Sequence, residues 1–403
     1  MIRKIVICDF FSFKGSTTVE LNSGVNLLLG INGSGKTSFI NAFRLLYEGV
    51  AGMGLETLFQ NCWGGFNQVV NVNGNRKPPY IQLTYVFDPV ALKRINASSP
   101  FEDEVCYRIT ISPLGTTNYT IAEKLYTKKK DGKGDFIYLD FKNGNGKLSI
   151  REASGEVKFE QYREGEVSGQ ELVLKQITDP QRYLPSHTIR KAVESMSIYD
   201  YFDTSNSSKL RQPGDFSTSN KLKKNGENLA QLLNHLKNNK TLAYNNIEEK
   251  LSRVSAAYKS IEFTNFSSQL YLALREKYLD KTIGSLHISD GTLRYLLLMS
   301  IFCNPERGSL VAIDEPECGL HPDMTKTVGD MLKDAAKNSQ IVIATHSPLL
   351  LNQFELEDIL VFEKNEENET TIKRFSEDDF TEWEGDFLPG QMWLRGQIGG
   401  KRW

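Results

Sequence analysis

Three stretches of this chain carry residue types that handle phosphate. GINGSGKT at positions 30–37 fits the pattern G-x-x-x-x-G-K-[ST]. Glycines at 30, 33 and 35 free the backbone to curl its N–H groups around phosphate oxygens, and Lys36 can reach the β and γ phosphates of a nucleotide. Thr37 offers its hydroxyl to a magnesium ion. Gly30, Asn32, Gly33, Ser34, Gly35, Lys36, Thr37 and Ser38 are therefore the candidate nucleotide contacts. LVAIDEPE at 310–317 ends an apolar run with two carboxylates in succession. Asp314 would support magnesium through its water shell, while Glu315, one residue on and turned elsewhere, could orient and deprotonate an attacking water. QIVIATHSP at 340–348 ends a third apolar run, and His346 falls where it could sense a γ phosphate. Glu315, His346 and Lys36 are the candidate catalytic residues. Taken singly, the three stretches have plain readings as a glycine turn, a helix cap and a structural histidine. Together they describe one triphosphate site.

A fourth stretch, ISDGTLRYL at 288–296, places Ser289 and Gly291 just before an apolar helical pattern starting near Leu293. By itself this is an ordinary helix N-cap, and its position ahead of Asp314 gives it further meaning.

These residues need particular elements to hold them. GVNLLL at 24–29 reads as a strand buried on both faces, and Phe39, Ile40, Phe43, Leu46 and Tyr47 follow at helical spacing. Further on, a helix at 293–302, a strand at 310–313, a helix at 324–336 and a strand at 341–345 complete an α/β pattern. Chain-distant segments must then meet in one parallel sheet, with the three phosphate-handling stretches at the edge where open α/β sheets bind ligands. Between them, Ile81, Leu83, Tyr85 and Phe87 alternate with polar residues, as do Val105, Tyr107, Ile109 and Ile111, which predicts antiparallel strands. Short β segments near 136–141 and 157–162 extend this lobe to about residue 175. From about 186 to 279 the pattern reads as helical, with Leu229, Leu232, Leu233 and Leu236 on one face. The expected organisation is an N-terminal lobe at 1–175, a mainly helical insertion at 176–285 and a C-terminal lobe at 286–403, together forming one composite domain.

Composition narrows the partners. The 39% hydrophobic content suffices for a substantial core, and a formal net charge of -2 excludes a globally basic nucleic-acid binder. No apolar run is long enough to span a bilayer and the start has no signal-peptide pattern, so a cytoplasmic protein without membrane attachment is expected. Five scattered cysteines without a CxxC pair read as buried small hydrophobes. Of the other histidines, none pairs with metal-site spacing on a common helix.

The ordered set DFFSF, phosphate loop, SDGTLRYL, DEPECGLHP and ATHSP resembles the ABC-type ATPases of the RecF, SMC and OLD group. The resemblance implies an α/β P-loop NTPase fold of ABC-ATPase type. That fold has a mixed or parallel sheet core with an antiparallel β lobe and a helical insertion, here without a long coiled coil. It also implies ATP and Mg2+ as ligands, Asp314 and Glu315 as Walker B acids, Gly319 to Pro322 as the D-loop, and 288–296 as the signature. In that group the signature of one subunit caps the nucleotide of another, so Ser289 and Gly291 would act in trans within an ATP-dependent homodimer. The chain looks most like compact, stand-alone RecF-like ATPases, with which it shares YDYF, LRQP, NGENLAQLL, SDGTLRYL, DEPECGLHPDM and MWLRGQIGGKRW. By position in that pattern Gln176 is the candidate Q-loop glutamine touching magnesium, with Gln60, Gln68 and Gln82 as rivals. Where many relatives carry a basic residue in the N-terminal motif this chain has Phe11, and Lys14 is the candidate substitute.

The resemblance further implies work on DNA repair or recombination, or in phage defence, through control of a partner such as a TOPRIM-type nuclease. DNA is a candidate ligand. The stretch after His346 is too short for a fused TOPRIM domain, so the nuclease is expected on another chain. Two other classes share the motifs: a nucleotide-dependent switch with little turnover, and a transporter ATPase subunit. The long interval between Lys36 and Ser289 and the absence of a full LSGGQ signature speak against the transporter. The tail, with Trp393, Arg395, Lys401, Arg402 and Trp403, either packs on its own domain or offers an aromatic and basic contact, with packing favoured.

Overall fold

Period-two and period-3.6 segments follow one another much as the sequence leads one to expect. They sort into two units, each drawn from several chain segments. The computed structural model describes residues 1–72, 77–115, 118–129, 134–151, 157–163, 165–199, 201–266, 268–380 and 387–400. The first unit takes Met1–Ser23, Gly30–Met196 and Val361–Lys373; the second takes Gly24–Leu29, Ser197–Leu360 and the chain from Arg374 onward.

An eight-stranded antiparallel sheet dominates the first unit. Its order is Ser16–Glu20, Ile2–Cys8, Ile81–Phe87, Val105–Leu114, Asn118–Lys128, Asp135–Lys142, Asn145–Arg151 and Val157–Tyr162. Alternation sets its register. Ile81, Leu83 and Tyr85 lie opposite Ile111, Ile109 and Tyr107, all buried on one face, so a slip by one residue would expose the whole row. Helix Lys36–Val50 buries Phe39, Phe43 and Leu46, and the Tyr85 hydroxyl donates to Ala42 O at 2.6 Å. Each such aromatic contributes about 2 kcal/mol by leaving water.

Glu123 is one of the acids buried inside this unit. Glu123, 3% exposed, accepts from the Tyr107 hydroxyl and from Val173 N, each at 2.5 Å. Burial pushes its carboxyl from an ordinary 4.5 up to about 7, against those two hydrogen bonds. The native carboxyl thus keeps its proton to higher pH than the unfolded one, so this residue's contribution is whole below 4.5 and is lost as pH rises through 7. Between about pH 5 and about pH 8, the melting temperature of the wild type should fall relative to that of Glu123→Gln. A gap that stays constant across that range would contradict the assignment.

In the second unit, Ser197–Tyr199, Leu310–Asp314, Gln340–Thr345 and Val25–Leu29 lie side by side in that order, all parallel. The apolar stretches in VNLLL, LVAID and QIVIAT are continuous because parallel strands are covered on both faces. Helices Leu229–Asn239, Thr241–Val254, Asp290–Phe302 and Pro322–Ala336 belong to this unit. The stretch 176–285 departs from the mainly helical expectation. Besides its helices it holds the antiparallel strands Tyr258–Phe266 and Gln269–Glu276, with Ile261 opposite Leu274 and Phe263 opposite Leu272. Leu270, Leu272 and Leu274 alternate with period two, and their burial decides the strand over any helical reading of the same leucines.

Among the described residues no helix is long and apolar enough to cross a membrane. Lys36–Val50 and Pro322–Ala336, at 15 residues each, are far short of coiled-coil arms. The cysteine expectation needs correction. Cys106 is buried, yet Cys62 and Cys318 are exposed. Cys318 sits in the turn after Glu315, where the backbone fixes its position and its thiol meets no core.

Candidate functional site

The phosphate loop leaves directly from Leu29, the last residue of a buried strand, and closes on itself. Lys36 is 5% exposed, and its Nζ donates back to Gly30 O at 2.7 Å and Ile31 O at 3.1 Å. Gly35 has φ +111 and stands at the helix N-cap, where a Cβ would come within 2.4 Å of Thr370 Oγ1. At Gly30 the demand is steric: a Cβ would lie 2.4 Å from Ser34 Oγ and 2.5 Å from Phe362 O. The helix that follows has neither a side-chain cap nor an acid in its first turn, so its positive end is open to an anion. Ser34 Oγ is buried and finds no partner among the described residues. Asn32, Gly33 and Thr37 are exposed and Ser38 is half-buried.

Two residues missed in the sequence brace this loop. The Thr370 hydroxyl donates to Ser34 O at 2.9 Å and pairs with the Ser12 hydroxyl at 2.8 Å. Ser12 lies in the DFFSF motif, whereas nothing in the sequence around Thr370 signals the role. Lys14 is held by Glu367 at 2.6 Å and by Glu369, which raises its own pKa and commits its charge. It does not stand free to replace a basic residue at position 11. Phe11 packs edge-on against Trp63 at 5.2 Å, inside an aromatic cluster with Phe10.

Within the second unit, parallel register aligns the strand ends. Leu29 pairs with Thr345, and Asp314 pairs with Ala344. The ladder runs one residue further, since Glu315 N donates to Ala344 O at 2.8 Å. Glu315 then adopts φ +47, a left-handed backbone that a non-glycine residue holds only under strain. That turn separates its carboxylate from that of Asp314, and Glu315 Oε1 lies 3.1 Å from His346 Nδ1. Glu317, also missed, accepts from the Thr345 hydroxyl, while its other oxygen is buried without a partner among the described residues. Burial pushes its carboxyl pKa up. Thr345 Oγ1 in turn accepts from Ser347 N at 3.0 Å, so this trio fixes the loop that carries His346.

Ser289 caps helix Asp290–Phe302, accepting from Thr292 N at 3.2 Å. A Cβ at Gly291 would approach Gly319 O to 3.1 Å, so the start of helix Asp290–Phe302 lies close against the turn at Gly319. Arg294 Nη1 donates to Cys318 O at 2.7 Å, and its guanidinium lies 4.4 Å from the centre of the exposed Tyr201 ring.

Gln176 belongs to the first unit. Its Oε1 accepts from Ser168 N at 2.8 Å and its Nε2 donates to Glu171 O at 2.9 Å, so both ends of the amide close the turn before helix Val173–Gln176. That geometry speaks for a brace and against a magnesium ligand. Of the rivals, Gln82 donates to Thr110 Oγ1 at 3.0 Å within the antiparallel sheet. In the tail, Trp393 is 7% exposed, and a Cβ at Gly400 would fall 2.5 Å from its ring, in keeping with packing on its own chain. Lys401, Arg402 and Trp403 lie outside the described residues.

No group of three or more His, Cys, Asp or Glu side chains that could hold a metal occurs among the described residues. Magnesium keeps several waters and relies on one or two carboxylates plus phosphate oxygens rather than a protein cage, so the want of such a group does not bear on it.

The fold is that of the Smc head solved in complex with the C-winged helix domain of ScpA. The TM-score is 0.59 over 94% of this chain and 99% of that one, at 13% identity. The "Retron Vc95 probable ATPase" of Vibrio cholerae is 35% identical over 83 residues, 20% of this chain and 16% of that protein. "Uncharacterized protein MJECL43" of Methanocaldococcus jannaschii is 34% identical over 83 residues, 21% of each chain. The chain thus spans 21% or less of the length of these two relatives. A family model matches residues 25–352, from the strand before the phosphate loop to beyond His346, and by that match the chain belongs to the family described as "AAA domain, putative AbiEii toxin, Type IV TA system".

Proposed function

We propose that this chain is an ATP hydrolase that dimerises on ATP and uses that cycle to control a partner protein in DNA repair, recombination or phage defence. The observation that carries the hydrolase reading is the pairing of a strained Glu315 with His346 at 3.1 Å, on the sheet edge where Leu29 hands the chain to the phosphate loop.

In this reading, Lys36 and the loop N–H groups grip the β and γ phosphates, and Thr37 and Asp314 would hold magnesium. Magnesium, when bound, draws negative charge from the phosphate oxygens during transfer. Glu315 takes a proton from the attacking water, and His346 fixes the direction of that carboxylate. Ser289, at the positive end of its helix, and Gly291, small enough for close approach, face the nucleotide of a second copy. The Smc head bound to ScpA supports a partner protein as the output, and the retron ATPase supports defence as the setting. Likeness to compact RecF-like ATPases and a cytoplasmic location belong to the same proposal.

Phosphate release from the purified chain with ATP and magnesium tests the reading, alone and with duplex DNA, single-stranded DNA or a TOPRIM-type nuclease. Release in none of these arms refutes a hydrolase, and stimulation by one of them names the output. Ser289→Arg tests capping in trans. Its ATP affinity as a monomer should stay within about threefold of wild type while the ATP-dependent dimer weakens by at least about tenfold. A normal dimer in sedimentation with ATP would contradict it.

A further inference from the structure

A buried cation holds the turn in front of the signature helix. Arg211, from the LRQP motif, is 2% exposed. Its Nε donates to Thr204 O at 2.8 Å, and its Nη1 faces Ser285 O at 2.8 Å, Leu286 O at 3.3 Å and Ile288 O at 2.7 Å. Nη2 pairs with the carboxylate of Asp290, and the Ser285 hydroxyl returns a bond to Arg211 O at 2.6 Å. Four carbonyls and one carboxylate therefore surround a single guanidinium. Three of those carbonyls come from residues 285–288 and converge on the guanidinium, which satisfies them away from water.

Asp290 gives the arrangement its meaning. It is the first residue of the signature helix and its side chain is 67% exposed, so water alone could solvate it. Left unpaired, its charge would oppose a phosphate approaching Ser289, although the helix end itself favours anions. Thr204 extends the link: its carbonyl takes Arg211, and its hydroxyl takes Arg294 Nε at 3.4 Å, the arginine that holds Cys318 O in the D-loop.

We propose that Arg211 is the positioning residue of the signature segment, shaping the 285–288 turn and neutralising Asp290 so that Ser289 and Gly291 can meet the triphosphate bound by a second copy. The inference rests on the trans-capping reading above and adds the residue that governs it.

The test uses the full chain with Arg211→Gln, Arg211→Lys and the double variant Arg211→Gln with Asp290→Asn, measuring ATP affinity of the monomer, melting temperature and the ATP concentration at half dimerisation. For Arg211→Gln, monomer affinity should stay within about threefold of wild type, while the half-dimerising concentration rises at least about tenfold. Adding Asp290→Asn should recover at least about threefold of that loss, because it removes the exposed charge without rebuilding the turn. A role confined to folding predicts a lowered melting temperature and no recovery, and that result overturns the proposal. If Arg211→Gln does not fold, Arg211→Lys decides: it keeps the ion pair but not the planar fork, and should shift dimerisation by at least about threefold. Wild-type dimerisation in either folded Arg211 variant overturns the proposal. Where Ser289→Arg loses the dimer and Arg211→Gln keeps it, this inference alone fails. A wild-type chain that never dimerises with ATP removes the trans-capping reading and this inference together.

Discussion

Lys36→Ala should lose nucleotide binding, with affinity for ATP and for ADP falling by at least about 100-fold. The ammonium is nearly buried and gives hydrogen bonds to Gly30 O and Ile31 O, so it closes the loop before any nucleotide arrives. Removing it leaves those carbonyls without their cation and opens a gap where the phosphates would be neutralised. Hydrogen bonds to a charged group contribute about 1.5 to 3 kcal/mol each, so two from the ammonium to phosphate oxygens of the bound nucleotide would account for a loss of that size. The loop's other supports, Thr370 on Ser34 O and the glycine at 35, are untouched, and the melting temperature should drop far less than the affinity. Direct titration of the variant measures this, and an affinity within about threefold of wild type would refute the phosphate-loop assignment.

Much of the fold was legible because its determinants are local or periodic. VNLLL, LVAID and QIVIAT read as buried parallel strands from their continuous apolar runs, and the alternation of 81–87 and 105–111 gave the antiparallel pair its faces. The ribbon at 258–276 was missed because its leucines also fit a helix, and only the pairing and burial of the folded chain separate the two periods. The motifs gave the candidate nucleotide contacts, but not what holds them. Thr370 lies more than 300 positions from the loop it supports, and Arg211 meets Asp290 across a span of 79. Neither has a spacing rule, since such contacts arise when distant segments fold together. Glu317 stood in plain view within DEPE, but its burial beneath Thr345 depends on the register of two strands, which no single stretch of sequence contains.

Glu315→Gln should bind ATP as tightly as the wild type and lose turnover by about 100-fold to 10,000-fold, the range attributable to a positioned general base. The amide keeps the size and shape of the carboxylate beside His346 Nδ1 but cannot accept a proton from water. Release of phosphate is what ends the ATP-held state in the proposed cycle, so the variant should accumulate as a dimer at ATP concentrations where the wild type is mixed. A second substitution separates catalysis from architecture. Glu315 holds φ +47, a conformation that disfavours a residue with a Cβ by roughly 1 to 2 kcal/mol and that glycine adopts freely. Glu315→Gly should therefore melt at or above the wild-type temperature while losing turnover to the same degree as the glutamine variant. A site kept for structure would lose stability on either change; one kept for chemistry trades strain for function at this residue. Single-turnover phosphate release and sedimentation with ATP decide the matter. Wild-type rates in Glu315→Gln would remove this residue from the mechanism, and a destabilised Glu315→Gly would show that its backbone is held for packing instead.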